Sequence, residues 1–546
     1  MPKLTYTITM ETPEGECRRD GLCQQHWDVV PDTSLRQIIL APRAVLPEGT
    51  LKTVEAEMPV KLAEGGFVFM NGFQTWSFSP EMTRTDSTKG IGPLPAPVIR
   101  HFGLDRYGDY YFRGYPAKKG VSQGTSYCYF REGDRYRLIA SLDEAPGYTQ
   151  FEYHAGTNRL IIRRDCAGLA VNGEYPVLDL YVAAGTEQEV FDGWFKALGI
   201  VPRTKEKLTG YTSWYNRYED ITEETILADL EGAAEVLQPG DLFQIDDGWE
   251  PAVGDWLASD PEKFPSGMKA MADAIHEKGF KAGLWLAPFA AGKRSKLYEE
   301  HPKWFYLRDR QPWYCGCNWG GFYALDFDFP EVRDYLKETF RTVFDEWGYD
   351  LVKLDFLYAA APFGDAKETR GGRMIRAMKF LRELCGDKLI LGCGVPLMPA
   401  FGLVDYCRIS CDVSLDWDDS PWMRITNRER ISTRQAILNA IYRRQLNGRA
   451  FGNDPDVFYL RDTNLKLTPE QKKMLALGCA LFSQVRLCSD EMGSFSPARR
   501  DAWDRLLQIF GTARDVTVRH ELIGKKEDLE ITYRLGEELF SYKIPL

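Results

Sequence analysis

Acidic, basic and aromatic side chains follow several short apolar segments in the second half of this 546-residue sequence. Asp246 and Asp247 follow one such segment, and Asp355 ends another. At comparable places lie Trp214, Tyr215, Trp285, Lys353, Cys393, Arg408 and Asp412. Paired carboxylates can serve as nucleophile and general acid/base, and aromatic rings can cover the apolar face of a sugar. The residue types therefore predict a site that cleaves a glycosidic bond.

Lys353 and Asp355 are two residues apart in the segment 351–355. Because side chains alternate along a strand, both are expected to point into the same interior. A lysine beside a carboxylate favours the charged form, so it is expected to lower the pKa of Asp355, as a nucleophile requires. The alternative is an internal ion pair without chemistry.

Asp246 and Asp247 are adjacent carboxylates before Gly248 and Trp249. One aspartate could cap the next helix, but capping needs only one. Two carboxylates could accept hydrogen bonds from sugar hydroxyls or bind a divalent cation. No further ligand at suitable spacing is identifiable in the sequence, so sugar binding is the favoured interpretation.

The elements that must position these side chains are apolar strands alternating with amphipathic helices. The predicted strands are 208–214, 241–246, 281–287, 351–355, 389–392, 404–410, 450–452 and 482–487. The predicted helices between them are 222–237, 267–278, 330–347, 368–385 and 434–445. This alternation is typical of a (β/α)8 TIM barrel, whose active site is built at the carboxyl ends of the strands.

The rest of the chain predicts a multidomain protein. Residues 1–185 contain short strand-like runs separated by turn residues, which indicates an N-terminal antiparallel β-sandwich. A helix within 186–206 is expected to link it to a catalytic barrel at 207–495. A capped helix and three strand-like runs in 496–546 predict a small C-terminal β-domain.

The composition limits which binding partners and which cellular compartment are expected for the protein. The chain has 68 Lys and Arg against 79 Asp and Glu, a net charge of −11, which disfavours nucleic acid and anionic membranes as partners. Twelve dispersed cysteines without zinc spacing predict a reduced protein and no metal site. No signal peptide or membrane span is evident, so a cytoplasmic location is expected. Both a monomer and a homo-oligomer stay open.

Several segments together resemble glycoside hydrolase family 36, the α-galactosidases. They are 244–249 (QIDDGW), 283–289 (GLWLAPF), 352–357 (VKLDFL), 391–396 (LGCGVP), 408–413 (RISCDV) and 453–456 (NDPD). They occur in the family's order and on the expected strands. The segment 71–77 (NGFQTWS) resembles the loop by which that family's N-terminal sandwich reaches over the barrel mouth.

The resemblance implies retaining hydrolysis of terminal α-linked galactose in two displacements, without a cofactor. It implies Asp355 as nucleophile and Asp412 as general acid/base, although the surroundings of Asp412 differ from the family pattern and Asp416 is a rival proton donor. It further implies a set of sugar-binding residues. They are Asp246 and Asp247 for O4 and O6, Lys353 and Arg408 for ring hydroxyls, and Trp285, Trp214, Tyr215 and Trp76 as walls.

Alternatives remain at the level of the substrate. The predicted substrate is a small galactoside of the melibiose or raffinose type. An α-N-acetylgalactosaminidase would need room for an acetamido group near Cys393 and Arg408, and another α-glycoside is a further option. A non-catalytic carbohydrate-binding relative is disfavoured because both Asp355 and Asp412 are present.

Overall fold

The computed structural model describes residues 2–92, 94–418, 429–523 and 526–545, and parallel strands form the centre of the fold. The barrel strands are Leu208–Thr212, Leu242–Ile245, Lys281–Leu286, Leu351–Leu354, Leu389–Gly392, Tyr406–Arg408, Gly452–Asp454 with Val457–Phe458, and Val485–Cys488. Each pairs in parallel with its neighbour in chain order, and the last pairs with the first. The predicted (β/α)8 barrel is confirmed.

The seventh barrel strand consists of two short pieces. Gly452–Asp454 pairs with the sixth strand, whereas Val457–Phe458 pairs with the eighth, so this broken strand closes the barrel. The sequence predicted it at 450–452, two residues too early. The break has a local cause, because Pro455 has no N–H and Asp456 adopts a left-handed φ of 81°.

Helices cover the outside of the barrel. Their bounds are Glu223–Ala234, Gly267–Glu277, Pro330–Arg341 continued by a π-helical turn at Thr342–Glu346, Arg370–Cys385, Thr433–Tyr442 and Pro469–Leu481. The short helix Trp214–Arg217 instead follows the carboxyl end of the first barrel strand. The prediction missed Pro469–Leu481, although Thr468 and Gln471 form a capping box at its start. Seven of its residues from Met474 to Ala480 are buried, so the segment lacks the polar stripe that marks an amphipathic helix.

An excursion after the third barrel strand was not predicted. It contains the helix Lys296–Glu300 and short antiparallel strands. The strands are Ala290–Gly292, Leu307–Arg308, Gln311–Pro312, Tyr314–Gly316 and Phe322–Ala324. Strands of two or three residues give too little period-2 pattern to be read from sequence.

Two antiparallel sheets form the N-terminal sandwich, as predicted. One sheet contains Lys3–Thr12, Gly15–Gln24, Arg43–Pro59, Val121–Thr125, Thr149–His154, Arg159–Arg164 and Ala170–Pro176. The other contains Asp28–Val29, Arg36–Leu40, Phe67–Met70, Glu81–Met82, Tyr127–Glu132, Arg135–Ser141 and Leu180–Gly185. Buried side chains from both, such as Ile8, Val54, Ile38 and Phe130, form one apolar core. The short helix Ala96–Phe102 lies in a connection.

Two helices connect the three parts of the fold. One lies between the sandwich and the barrel, and the other lies between the barrel and the C-terminal sheet. Helix Glu187–Leu198 begins at the capping residue Thr186 and buries one face, including Phe191 and Trp194. After helix Pro497–Thr512 come three antiparallel strands. They are Arg514–Ile523, Lys526–Leu535 and Glu538–Pro545. The proposed division after residues 185, 206 and 495 stays a prediction. No helix among the described residues is long and apolar enough to cross a membrane.

A buried arginine fastens the sandwich loop 71–79 to the barrel. Arg443 follows helix Thr433–Tyr442 and is fully buried. Its hydrogen-bond acceptors are the carbonyl oxygens of Gln74, Thr75 and Ile409 and the side-chain oxygens of Asn71 and Ser79, at 2.6–3.1 Å. The loop also pairs its backbone with the segment after the fifth barrel strand, through Thr75 N–H and the Val395 carbonyl at 3.1 Å. One guanidinium thus fixes the loop that carries Trp76.

Replacing Arg443 by methionine is expected to destabilise the protein by about 3–5 kcal/mol, because buried acceptors lose their donor. Urea unfolding followed by fluorescence measures the change. The control is Arg449→Ala, which removes a surface pair with Asp192 at 2.6 Å and should cost less than about 1 kcal/mol. Equal stability losses in the two variants would contradict the anchoring role of Arg443.

Candidate active site

A cavity of about 180 Å³ opens where the barrel strands end. Its lining residues are Trp76, Tyr107, Trp214, Glu219, Asp246, Asp247, Trp285, Asn318, Trp319, Lys353, Asp355, Phe356, Cys411, Asp412, Glu429, Arg430 and Ile431. Eight of the residues predicted from sequence are in this lining. The other three, Tyr215, Cys393 and Arg408, are buried and lie outside it.

Asp355 follows the fourth barrel strand and is held from two sides. Its Oδ1 accepts the backbone N–H of Phe356 at 2.8 Å, and its Oδ2 accepts the indole N–H of Trp285 at 3.2 Å. The strand ends because Phe356 adopts a left-handed φ of 52°. Gly394 packs against this turn, where a Cβ would lie 2.9 Å from the Phe356 nitrogen. The carboxylate is therefore fixed in orientation.

The pKa of Asp355 corrects one expectation from the sequence. Burial raises it above the ordinary aspartate value, and the nearby charge of Asp412 adds to the increase. The charge of Lys353 acts in the expected direction and lowers it, but burial outweighs that effect. The sequence prediction of a lowered pKa was wrong because it considered only the lysine.

Lys353 bonds directly to a different carboxylate. Its Nζ lies 2.8 Å from Oδ2 of Asp246, which also accepts the amide N–H of Gln244 at 2.7 Å. Burial alone would lower the pKa of Lys353, but the charges of Asp246 and Asp355 more than offset burial and raise it. The lysine is therefore a fixed cation between two carboxylates at the bottom of the cavity.

Asp247 has two partners that the sequence did not suggest. The indole N–H of Trp319 donates to its Oδ2 at 2.8 Å. Glu250 hydrogen-bonds to it from the other side, and both carboxyl groups are buried. Burial first, and then the charge of Glu250, raises the pKa of Asp247 well above its ordinary value. Two carboxyls in contact share a proton more readily than both ionise.

Asp412 lies after the sixth barrel strand, opposite Asp355. Its Oδ1 accepts Nη2 of Arg408 at 2.8 Å, and its side chain keeps 36% of its surface exposed. Arg408 is buried and also contacts Oδ2 of Asp456 at 3.1 Å. The phenol of Tyr215 donates to that same Asp456 carboxylate. The arrangement gives one enclosed and one accessible carboxylate on the same cavity.

The rival carboxylates near Asp412 lie elsewhere. Asp405 is at the opposite end of the sixth strand, where Oδ2 bonds to Arg382 at 3.1 Å. Asp416 pairs with Lys466 at 3.3 Å, and Asp418 pairs with Arg430 at 2.7 Å. None of these three lines the cavity. Asp419, which follows Asp418 in the sequence, lies outside the described residues.

The predicted aromatic walls divide into two groups. Trp76, Trp214 and Trp285 line the cavity, and the Trp76 indole donates to Sγ of Cys393 at 3.3 Å. Tyr215 instead lies behind the wall, bonded to Asp456. Cys393 is likewise a buried support, and burial raises the pKa of its thiol well above the ordinary value.

Sequence reasoning missed cavity residues from three segments outside the strand ends. Asn318 and Trp319 come from the excursion after the third strand, Tyr107 from the sandwich and Glu429 from the loop after the sixth strand. The Tyr107 phenol bonds to Asn318, and Ser77 Oγ donates to Glu429 at 2.6 Å. Only the tryptophan content of segment 313–319 hinted at a role in sugar binding. No cluster of three metal-ligating side chains occurs in the described part of the chain.

Paired carboxylates, buried cations and aromatic walls at the mouth of a (β/α)8 barrel are the features of a glycoside hydrolase. Comparison with known sequences shows which glycoside hydrolases this chain resembles. The Melibiase family model matches residues 203–374. Alpha-galactosidase Mel36A of Lactobacillus acidophilus is 31% identical over 151 residues, which cover 26% of this chain and 20% of that protein. AgaA of Geobacillus stearothermophilus is 31% identical over 160 residues, covering 28% and 21%.

Solved structures match over far more of the chain. TtGalA, an alpha-galactosidase from Thermus thermophilus in complex with p-nitrophenyl alpha-D-galactopyranoside, has a TM-score of 0.72 and 28% identity, covering 96% of this chain and 97% of that one. AgaA has a TM-score of 0.58 at 13% identity and shares the fold. The chain is therefore similar in sequence and fold to the α-galactosidases of glycoside hydrolase family 36. The matched segments span about a fifth of the curated relatives' length.

The carboxyl pair Asp247 and Glu250 predicts a pH-dependent stability. Their raised pKa values mean that the folded state holds the proton more tightly than the unfolded chain. Their stabilising contribution is therefore present at low pH and lost as the pH rises through the folded-state pKa. Glu250→Gln removes one carboxyl, so the melting temperature should fall less than in the wild type as the pH rises from acidic to mildly alkaline.

Differential scanning fluorimetry across that pH range measures the effect. The matched control is Glu338→Gln, which changes an exposed glutamate paired with Arg341. Its melting temperature should follow the wild-type pH dependence. If Glu250→Gln also follows it, the two buried carboxyls do not share a proton.

Proposed function

We propose that the protein is a retaining α-galactosidase that removes terminal α-linked galactose from small galactosides of the melibiose or raffinose type. The observation that carries the proposal is that Asp355 and Asp412 line one cavity together with Asp246 and Asp247. The match to TtGalA over nearly the whole of both chains supports the choice of sugar. Hydrolysis of a panel of aryl glycosides tests it.

In the first displacement, the ionised Asp355 attacks the anomeric carbon. A bond forms between its oxygen and that carbon while the glycosidic C–O bond breaks, and Asp412 gives its proton to the departing oxygen. The bonds from Phe356 and Trp285 hold the attacking carboxylate in one orientation. The product of this step is a β-linked galactosyl ester of Asp355.

In the second displacement, Asp412 accepts a proton from water and the water oxygen bonds to the anomeric carbon. The ester bond breaks, Asp355 leaves as a carboxylate, and galactose is released with its original α configuration. The accessible side chain of Asp412 supports this role, because water must reach it. Both protons are carried by carboxyl groups, so the proposed reaction uses no cofactor.

The proposed galactose-binding residues lie around the same cavity as the two catalytic carboxyls. Asp246 and Asp247 are proposed to accept the O4 and O6 hydroxyls, and Lys353 to bind a ring hydroxyl. Arg408, which is buried outside the cavity lining, is proposed to support recognition indirectly by holding Asp412 at 2.8 Å. Trp76, Trp214 and Trp285 would pack against the sugar ring, with Tyr215 and Cys393 supporting them from behind.

N-acetylgalactosamine is the competing glycone. A relative named A type blood alpha-D-galactosamine galactosaminidase from Flavonifractor plautii is 35% identical over 143 residues, covering 23% of this chain and 13% of that protein. An acetamido group would need space beside Cys393 and Arg408, and both are fully packed. This packing favours galactose.

The proposed location is the cytoplasm. All twelve cysteines are unpaired thiols, which is typical of a reducing compartment. The oligomeric state stays a prediction.

Purified protein is expected to hydrolyse 4-nitrophenyl α-galactoside at least about a hundredfold faster, by kcat/KM, than the α-glucoside, because buried groups that bind an axial O4 are left unpaired by the epimer. Initial rates on the α-galactoside, α-glucoside and N-acetyl-α-galactosaminide measure this. Glu338→Gln, which changes an exposed glutamate of helix Pro330–Arg341, serves as control and should keep the same preference. Equal kcat/KM on the two hexosides would contradict the assignment of O4 to Asp246 and Asp247.

The two catalytic roles predict different azide products. Asp355→Ala should lose at least about a thousandfold in kcat, or ~4 kcal/mol of barrier, and azide should restore turnover by giving the inverted β-galactosyl azide. Asp412→Ala should keep a burst of nitrophenol, because nitrophenolate leaves without a proton, and should give the α-azide of retained configuration. Product NMR distinguishes the two. A burst and α-azide from Asp416→Ala instead would reassign the proton donor.

A further inference from the structure

A second buried carboxylate shares the arginine of Asp412. Nη2 of Arg408 lies 2.8 Å from Oδ1 of Asp412 and 3.1 Å from Oδ2 of Asp456. Asp456 is buried, and its Oδ2 also accepts the backbone N–H of Val413 at 2.8 Å. It therefore contacts both the cation and the loop that hold the proposed proton donor.

The position of Asp456 is tightly constrained by the backbone. The residue lies in the break of the seventh strand with a φ of 81°, and its N–H donates to Oδ1 of Asp454 at 2.9 Å. The Tyr215 phenol bonds to the same carboxylate. A left-handed aspartate costs energy that a glycine would not, so the carboxyl group at this place needs a reason.

We propose that Asp456 is a positioning residue that shares the charge of Arg408 and thereby keeps Asp412 able to hold the proton it donates. The inference rests on the proposed function of Asp412 as general acid. A lone buried arginine in contact with a carboxylate stabilises the ionised form and would make Asp412 a poor acid. A second carboxylate on the same guanidinium opposes that effect.

The titration of Asp456 fits this role. Burial raises its pKa to about 7, against the opposing charge of Arg408 and with the charges of Asp412 and Asp454 adding to the rise. Asp456 thus becomes negative as the pH rises through neutrality. Both carboxyl groups contact the same cation.

Other titratable groups face this pair from every neighbouring element. They are Lys353 and Asp355 of the fourth strand, Cys393 of the fifth, Arg408 and Cys411 of the sixth, Asp454 and Tyr459 of the seventh, Tyr215 and Tyr218 after the first, and Cys479 of helix Pro469–Leu481. Burial raises the pKa values of the buried thiols and phenols, so these groups are neutral near pH 7. The groups near Arg408 whose charge can change near neutral pH are therefore carboxyls, and burial raises the pKa of Asp355 and Asp454 as well as that of Asp456.

Asp456→Asn tests the proposal by removing the charge while keeping the shape. The substrate is a melibiose-type sugar, whose leaving group is poor and needs a proton. In the wild type, the fall of kcat/KM at alkaline pH on this substrate (the alkaline limb) reports the loss of the general acid. Without Asp456, Arg408 acts on Asp412 alone and favours its ionised form. The limb should move to lower pH by on the order of one unit, which is a tenfold loss of kcat/KM above it. Rates on 2,4-dinitrophenyl α-galactoside, which needs no acid, should change much less.

The matched control is Asp405→Asn, which removes a buried ion pair with Arg382 at the other end of the sixth strand. It should lower stability and leave the limb in place. If Asp456→Asn does not fold, judged by near-UV circular dichroism, Tyr215→Phe takes its place. Loss of the phenol donor makes the ionised form of Asp456 less stable, so Asp456 offsets the charge of Arg408 less. The alkaline limb should again move to lower pH, by a smaller amount.

An unmoved alkaline limb in an active, folded variant would overturn the proposal, and so would equal losses on both substrates at all pH values. Either result would leave the α-galactosidase assignment intact, because wild-type activity on the aryl glycoside panel establishes that separately. A wild type that hydrolyses no α-galactoside would refute both.

Discussion

Mutual neutralisation of buried charges is the constraint on which the barrel mouth depends. Removing an ion from water costs several kcal/mol, and a partner offsets that cost only in good geometry. Lys353 lies between Asp246 and Asp355, and Arg408 lies between Asp412 and Asp456. Without either cation, two carboxylates would face each other in a low-dielectric space. The positions of the carboxylates therefore follow from the two cations.

A buried cation also connects the sandwich to the site, but its hydrogen-bond acceptors are neutral oxygen atoms and not carboxylates. Arg443 binds four oxygen atoms of the loop 71–79 and the Ile409 carbonyl of the barrel, and that loop carries Trp76 to the cavity. Trp76 donates to Cys393, which is hydrogen-bonded to Asp355. The N-terminal domain therefore contributes a wall of the cavity and supports the catalytic strand.

The sequence predicted the barrel well because its strands are short apolar runs, each ending in polar residues with a distinct role. Asp246, Asp355 and Asp412 could be found in this way, since the carboxyl ends of parallel strands meet at one edge. Trp319 could not, because it lies in an irregular excursion with a left-handed φ of 54°. The pKa of Asp355 was mispredicted because burial depends on residues distant in sequence. The function of Asp456 depends on a cation from another strand, which no local pattern encodes.

The two proposed catalytic carboxyls have opposite environments, and each suits one task. Asp355 is enclosed and held by Phe356 and Trp285, so its orientation is fixed and its protonation is governed by burial. Asp412 keeps 36% of its side chain exposed, so water can reach it. An exposed carboxyl that must both give and take a proton needs its affinity set by neighbouring charges. Arg408 supplies a positive charge and Asp456 a negative one. The broken seventh strand, which carries Asp456, therefore contributes to the proposed proton transfer as well as to closing the barrel.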